Sequence, residues 1–331
     1  MTQRSHELLH TLAYGAIPAR CLQVVAEIGV ADHIDDEPVP LGKLAAACGA
    51  DPRALGRVIR LLTAYGLFTE RDTGFAHTPE SRLLRGDHPA SVRPLLRLMG
   101  LPVQLDSLSL LQHTVMTGEP AIEVLESGGL WAYLRDQPEE SEIFDHAMTA
   151  KAAADVPAVV DAYDFTPFEV IADIGGGRGH LLRGVLDAAP GAEGVLFDQP
   201  GVIEALAFPD HPRLALRTGD FFDSVPTADA YVLMHVLHNW DDERATRILR
   251  TIRRSAAPGA TLLVIENVLP DERPAPPAPA ALTMDVIMLV LTRGRERDEG
   301  ELAALLDGAG FRFTGMTETS GSLRIAEAKA V

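Results

Sequence analysis

The sequence predicts an α/β protein: a doubly wound, largely parallel sheet finished by a C-terminal antiparallel hairpin, preceded by a mainly helical winged-helix domain. Three observations carry this. From Phe168 onward, short apolar strand-like segments alternate with helical ones, the order expected of βα units around a parallel sheet. The first 95 or so residues instead show helical periodicity, then a helix-turn-helix and a small hairpin. Between the first strand and its helix stands Val-Ile-Ala-Asp-Ile-Gly-Gly-Gly-Arg-Gly-His, residues 170 to 180, a strand-turn-helix context in which glycines let the backbone approach a ligand.

Size and composition bound the rest. The 331 residues exceed the usual single domain, so two units are expected. Apolar residues make up 47% and charged residues 23%, ordinary for a globular chain with a sizeable core. A net charge of −18 argues against nucleic acid and anionic membrane as partners. The two cysteines, Cys21 and Cys48, sit in apolar helical patterns and read as buried free thiols rather than a disulfide. The N-terminus is interrupted by Arg4, His6, Glu7 and His10 and lacks a signal-peptide core, and no apolar run of membrane-spanning length occurs. The expectation is a soluble cytoplasmic protein.

Element by element, Ile17 to Val30 carries Leu22, Val25, Ile28 and Val30 at helical spacing. Helices are expected at Leu41 to Cys48 and Pro52 to Tyr65, the latter capped by Asp51 with Pro52 at its first position. Leu67 to Glu70 and Phe75 to His77, joined at Asp72-Thr73-Gly74, complete the winged helix. Arg53, Arg57 and Arg60 on its recognition helix raise a DNA-binding reading. Glu70, Asp72 and Glu80 in and around the wing oppose it, so an oligomerisation or lid module is preferred. Residues 96 to 160 read as further helices, with Trp131 to Leu134, Phe144 and Met148 on one face. Strands follow at Val170–Ile174, Gly194–Asp198, Leu214–Thr218, Ala228–His235 and Thr261–Glu266, with helices at Arg178–Ala189 and Asp242–Ser255. Phe311–Met316 and Ser322–Ala328 form the closing hairpin, adding an antiparallel strand at one edge. Pro270 to Pro279 is a proline-rich loop expected to be mobile.

Ligands of such sheets bind at the carboxyl ends of the strands, and the chemistry-bearing residues fall there. A dinucleotide fingerprint would need glycines at 175, 177 and 180, but 180 is histidine. The turn is instead Asp-x-Gly-x-Gly-x-Gly, with Asp173 ahead of it. That carboxylate would repel a pyrophosphate and suits a ligand with an ammonium and a sulfonium, S-adenosylmethionine (SAM). Asp198, 19 residues after Gly179, can accept the ribose hydroxyls of an adenosine, a spacing shared with NAD sites. Asp220 can accept from the adenine amine and Phe221 can stack on the ring, while Phe222 reads as core. His238 falls just past the fourth strand, where a general base belongs. His235, within that strand, reads as a structural histidine, and Asp241-Asp242 as a helix cap rather than a metal site.

Together these residues resemble the SAM-dependent O-methyltransferases of the plant caffeate/flavonoid type and their bacterial natural-product relatives. The resemblance covers nearly the whole chain. It includes Phe144-Asp145-His146-Ala147-Met148, the Asp173–Gly179 turn, Phe197-Asp198-Gln199-Pro200, Gly219-Asp220-Phe221-Phe222 and His238-Asn239-Trp240. It continues through Val264-Ile265-Glu266 and Met284-Asp285-Val286-Ile287-Met288-Leu289 to Gly294-Arg295-Glu296-Arg297. It implies a winged-helix dimerisation domain (1–95), linking helices that contribute to the substrate pocket (96–160), and a Rossmann-like SAM-binding methyltransferase domain (161–331).

The resemblance makes His238 the catalytic base, flanked by Glu266 and Glu296, which orient the imidazole. It assigns SAM contacts to Asp173, Gly175, Gly177, Asp198, Gln199, Asp220 and Phe221. Acceptor contacts fall to Phe144, Met148, Asn239, Asp285 and Met288, the two methionines bracketing an aromatic ring. No metal is implied, S-adenosylhomocysteine is the product, and a homodimer forms through the N-terminal domain. Two departures stand out: Asn239 where aspartate is commoner, and Met234 where plant members have a cofactor-contacting lysine. The rival readings are a SAM-binding relative that hydroxylates or decarboxylates a polyketide, a winged-helix regulator, and a nicotinamide oxidoreductase.

Overall fold

A computed structural model describes residues 2–206, 211–270 and 279–331. The chain divides into two compact units, Met1–Asp106 with Leu134–Lys151, and Ser107–Tyr133 with Ala152–Val331.

The first unit begins with α1 (Thr2–Tyr14) and α2 (Ala16–Glu27). The expected helix to Val30 stops at Glu27 because Gly29 turns left-handed, φ 68°, and starts a 3-10 turn at Val30–His33. Then come α3 (Leu41–Ala47) and α4 (Pro52–Ala64). Asp51 caps α4, accepting from the Arg53 and Ala54 amides at 3.0 and 2.8 Å. The wing is β1 (Phe68–Arg71) paired antiparallel with β2 (Gly74–His77), followed by α5 (Pro79–Arg82) and α6 (Arg93–Met99). Val25, Ile34, Leu44, Ile59, Leu62, Phe68 and Phe75 form its core. Cys21 and Cys48 pack on that core as free thiols, half-buried rather than buried as expected. Arg60 is paired with Glu70 of the wing at 3.0 Å.

The middle of the chain holds α7 (Pro102–Ser109), α8 (Leu111–Thr117), α9 (Ile122–Leu125), α10 (Gly129–Asp136) and α11 (Pro138–Ala162). The bulky run from Trp131 to Met148 is therefore broken at Gln137. Proline disfavours a helical residue before it and is itself suited to a helix start.

The second unit carries the sheet. Its elements are β3 (Val170–Ile174), α12 (His180–Ala188), β4 (Glu193–Asp198), α13 (Pro200–Glu204), β5 (Leu214–Thr218), β6 (Ala230–Met234), α14 (Asp242–Ser255) and β7 (Thr261–Leu269). They continue with α15 (Pro279–Leu291), β8 (Arg297–Asp298), α16 (Glu299–Gly308), β9 (Phe311–Glu318) and β10 (Leu323–Ala330). The order is β5-β4-β3-β6-β7-β10-β9, with β8 beside the end of β7. Strands β3 to β7 are parallel, whereas β10 runs antiparallel to both neighbours. The antiparallel strand thus lies inside the sheet, and β9, not β10, forms its edge. Of the proline-rich stretch Pro270 to Pro279, residues 271–278 lie outside the described residues.

Alternation along the strands builds two cores. Ile171, Leu196, Val232, Leu263 and Ile265 face Leu182, Val185 and Leu186 of α12. Their neighbours Ala172, Ile174, Tyr231, Leu233, Leu262 and Val264 face Ile248, Leu249 and Ile252 of α14 with Leu302 and Leu306 of α16. Truncating a buried Leu or Ile here costs about 2–5 kcal/mol. This rigid double layer fixes the strand ends from which the site projects.

Candidate active site

The glycine turn leaves β3 at its carboxyl end. Gly175, Gly177 and Gly179 have φ of 71°, 56° and 68°, all in the left-handed region. A Cβ on Gly176 would lie 2.6 Å from Oδ2 of Asp173, so the turn closes directly over that carboxylate. Asp173 is 2% exposed, and its Oδ2 has no hydrogen-bond partner among the described residues. Burial, and secondly the charge of Asp198, push its carboxyl up to about 7, against a smaller opposing pull from the Leu182 amide.

Asp198 ends β4 and accepts from the Gly177 amide at 2.8 Å and from Gln199 at 2.7 Å. Gln199 itself is exposed at the start of α13. Asp220, exposed after β5, accepts from the Phe222 amide at 2.8 Å. Phe221 packs edge-on against Trp240 with ring centres 6.0 Å apart, and Phe222 does so at 4.9 Å with Arg247 over its outer face. A Cβ on Gly175 would lie 3.1 Å from Val236 and 3.6 Å from Phe221. Turn, aromatic platform and the segment leading to His238 therefore converge on one glycine.

His238 sits on a 3-10 turn, Leu237–Asn239, just beyond β6. The chain reaches it through His235, which lies past the strand rather than within it. His235 is the one non-glycine with positive φ, 56°, among the described residues. The side-chain nitrogen Nδ2 of Asn239 donates to the carbonyls of His235 and Val236, at 3.0 and 3.3 Å, and so braces that bend. His235 Nε2 lies 3.3 Å from Asp155, a structural pairing.

The imidazole of His238 has Nδ1 at 3.1 Å from Glu296 Oε1 and 3.5 Å from Glu266 Oε2. A carboxylate only accepts, so Nδ1 carries the proton and Nε2 the lone pair. Both glutamates are buried, at 3% and 1% exposure. Burial foremost raises the Glu266 carboxyl, and His238 partly offsets this. Glu266 does more than face the ring. Its Oε1 accepts from the amides of Val236, Leu237 and His238 at 3.1, 2.9 and 3.3 Å, the amides that a short turn leaves without carbonyl partners. Glu296 is placed by α15, where Asp285 Oδ1 accepts its amide at 2.9 Å.

Met288 is buried on α15; Phe144 and Met148 lie one turn apart on α11, in the first unit. Asp241 caps α14 through the Arg244 amide at 2.8 Å, while Asp242 pairs with Arg297. His235, His238 and Glu266 have the composition of a metal site, with ligand atoms within 4.8 Å of one another, yet they are turned to Asp155, to Glu296 and to the three amides. Sequence reasoning missed the roles of Gly294 and Arg297. A Cβ on Gly294 would fall 1.8 Å from the His238 carbonyl oxygen, so only glycine lets these segments touch.

Residues 110–312 match the O-methyltransferase domain family, and residues 10–87 match the O-methyltransferase dimerisation domain. The chain belongs to the O-methyltransferase family. It is 39% identical to a phenazine O-methyltransferase of Lysobacter antibioticus, over 94% of this chain and 92% of that one. It is 36% identical to the mitomycin biosynthesis 6-O-methyltransferase of Streptomyces lavendulae, over 98% and 94%. The human N-acetylserotonin methyltransferase, solved with SAM, superposes with a TM-score of 0.90 at 26% identity, covering 100% of this chain and 98% of that one. This O-methyltransferase uses SAM. The residues present fit that cofactor: three left-handed glycines over a buried carboxylate without a partner on one oxygen, a second carboxylate at the end of β4, and an aromatic platform after β5. Among the described residues no helix is long and apolar enough to cross a membrane.

Proposed function

We propose that the enzyme methylates a phenolic hydroxyl of an aromatic natural product, with His238 as general base and no metal. The observation that supports it best is the 3.1 Å bond from His238 Nδ1 to the buried Glu296, which leaves Nε2 as the basic nitrogen. When bound, SAM supplies a methyl group already activated by its sulfonium charge, and S-adenosylhomocysteine is the product. Nε2 would take the proton of the acceptor phenol, leaving its oxygen nucleophilic. Glu296 holds the imidazole in that tautomer and stabilises the imidazolium that forms, a task suited to a buried carboxylate. Glu266 fixes the height of the ring by holding the main chain beneath it. Acid–base assistance of this kind contributes roughly 10²–10⁴-fold, and positioning supplies most of the rest.

Asp173, Gly175, Gly177, Asp198, Gln199, Asp220 and Phe221 are proposed to bind SAM. Phe144, Met148, Asn239, Asp285 and Met288 are proposed to serve the acceptor. Residues 1–95 would dimerise, 96–160 link, and 161–331 bind the cofactor. Homodimerisation is supported by the matched dimerisation domain and by Leu8, Leu9 and Leu12 on α1, exposed at 60%, 65% and 69%. A reducing, cytoplasmic setting agrees with the two free thiols.

The acceptor class is drawn from relatives at 35% identity, named for methylating 3-amino-4-hydroxybenzoate and 2,7-dihydroxy-5-methyl-1-naphthoate. Incubation with labelled SAM and a panel containing both compounds and hydroxylated phenazines, scored by mass, tests it. Gain of one methyl on oxygen is expected. Transfer only to amines, or a product lacking the methyl, would contradict the proposal.

A further inference from the structure

We infer that Arg297 is a positioning residue for methyl transfer: its guanidinium holds the main chain of the turn that carries His238. The inference rests on His238 being the base. A 3-10 turn of three residues leaves the amides at its start unpaired, while its closing bonds run from the Asn239 amide to Val236 O at 3.2 Å and from the Trp240 amide to Leu237 O at 3.0 Å. Glu266 takes the amides. The carbonyl side is held by Arg297, whose Nη1 donates to Leu237 O at 3.2 Å and Nη2 to Trp240 O at 2.8 Å. These carbonyls flank His238.

The same fork reaches Asp242 Oδ1 from Nε and Nη2 at 2.9 and 2.8 Å, which balances its charge. Arg297 is 3% exposed, and a guanidinium is not buried without such partners. Only a planar fork serves three acceptors in this geometry; a lysine ammonium cannot. The neighbouring residue sharpens the point. Glu296 and Arg297 are consecutive where the chain enters β8, which pairs with Val268 and Leu269 of β7, and consecutive extended residues point to opposite sides. One therefore grips the imidazole and the other grips the backbone of the same turn. Any movement of β8 shifts both together.

Releasing the carbonyl side frees the turn to move on the ångström scale, which costs about 10²-fold in an oriented transfer. The test uses Arg297→Met, Arg297→Lys and Asp242→Asn in the full chain, with ¹³C-labelled histidine. The His238 resonance, assigned by its loss in His238→Ala, is titrated with saturating S-adenosylhomocysteine. Calorimetry gives SAM affinity. Turnover is read on the phenol that gains a methyl in the panel above. We expect a displaced or broadened His238 signal, SAM affinity within threefold of the parent, and kcat down by about 10²-fold in Arg297→Met with little change in KM. Arg297→Lys restores only part of this. A role in folding alone would lower the melting temperature and leave the His238 titration and kcat of the folded fraction at parent values; that result overturns the inference. If Arg297→Met does not fold, Arg297→Lys and Asp242→Asn decide by the same readouts. Full turnover in His238→Ala alongside a disturbed His238 signal in the Arg297 variants would remove the base assignment while leaving the clamp intact.

Discussion

Asp173→Asn probes the cofactor end of the site in two opposite ways. Asp173 is buried, and its carboxyl is pushed from an ordinary 3.8 to about 7, chiefly by burial. That shift of about three units, at 1.36 kcal/mol each, disfavours the ionised fold by roughly 4 kcal/mol. The folded state holds its proton to higher pH than the unfolded state. The ligand-free enzyme therefore loses stability as pH rises from about 4 to about 7 and regains none above it. Asparagine carries no such charge, so the ligand-free variant should exceed its parent at pH 8 by about 1–4 kcal/mol and match it near pH 4. SAM binding should respond oppositely. A cationic ligand over the turn favours the ionised carboxylate, so binding releases a proton and tightens as pH rises towards 7. The variant keeps the cofactor's own titration as background but loses this slope, and binds more weakly above pH 7. Denaturant melts across pH 4–8.5 and calorimetry across pH 5.5–8.5 read the two effects. A parent affinity that stays flat over this range, or a variant of unchanged affinity, would refute the electrostatic role of Asp173.

Further outcomes follow from the turn that carries His238. Gly294→Ala places a methyl 1.8 Å from the His238 carbonyl oxygen and must push the turn away; turnover should fall about 10²-fold in a steady-state assay while SAM affinity by calorimetry stays near parent. Glu266→Ala strands three amides, two of them buried, and should cost roughly 3 kcal/mol in a urea melt, whereas Glu296→Gln should spare stability and lower kcat about tenfold or more. Asn239→Ala removes the Nδ2 bonds to the His235 and Val236 carbonyls, with an expected loss of about 1–2 kcal/mol in the same melt.

The strand ends were readable because period-two burial, turn glycines and acidic residues coincide there. β3 and β5 match the expected bounds at both ends, as does α14. β7 runs on to Leu269 because β10 and β8 both pair with it, long-range partners that no local pattern reveals. α1 escaped notice because its apolar residues, Leu8, Leu9 and Leu12, are exposed and interrupted by polar ones. The same distinction holds in the site. His238, Glu266 and Glu296 stand in recognisable motifs, and the fold brings them together. Arg297 and Gly294 act on residues some 55–60 positions earlier, so their parts emerge only when β8 is laid beside β7. A buried arginine whose partners are carbonyl oxygens leaves no spacing to read.

The assignment of His238 as the base is tested most directly by single-turnover methyl transfer in His238→Ala, at saturating SAM and with a phenol that the parent methylates. The predicted result is a rate lowered by roughly 10²–10⁴-fold with SAM affinity within threefold of the parent. A rate within threefold of the parent would contradict it.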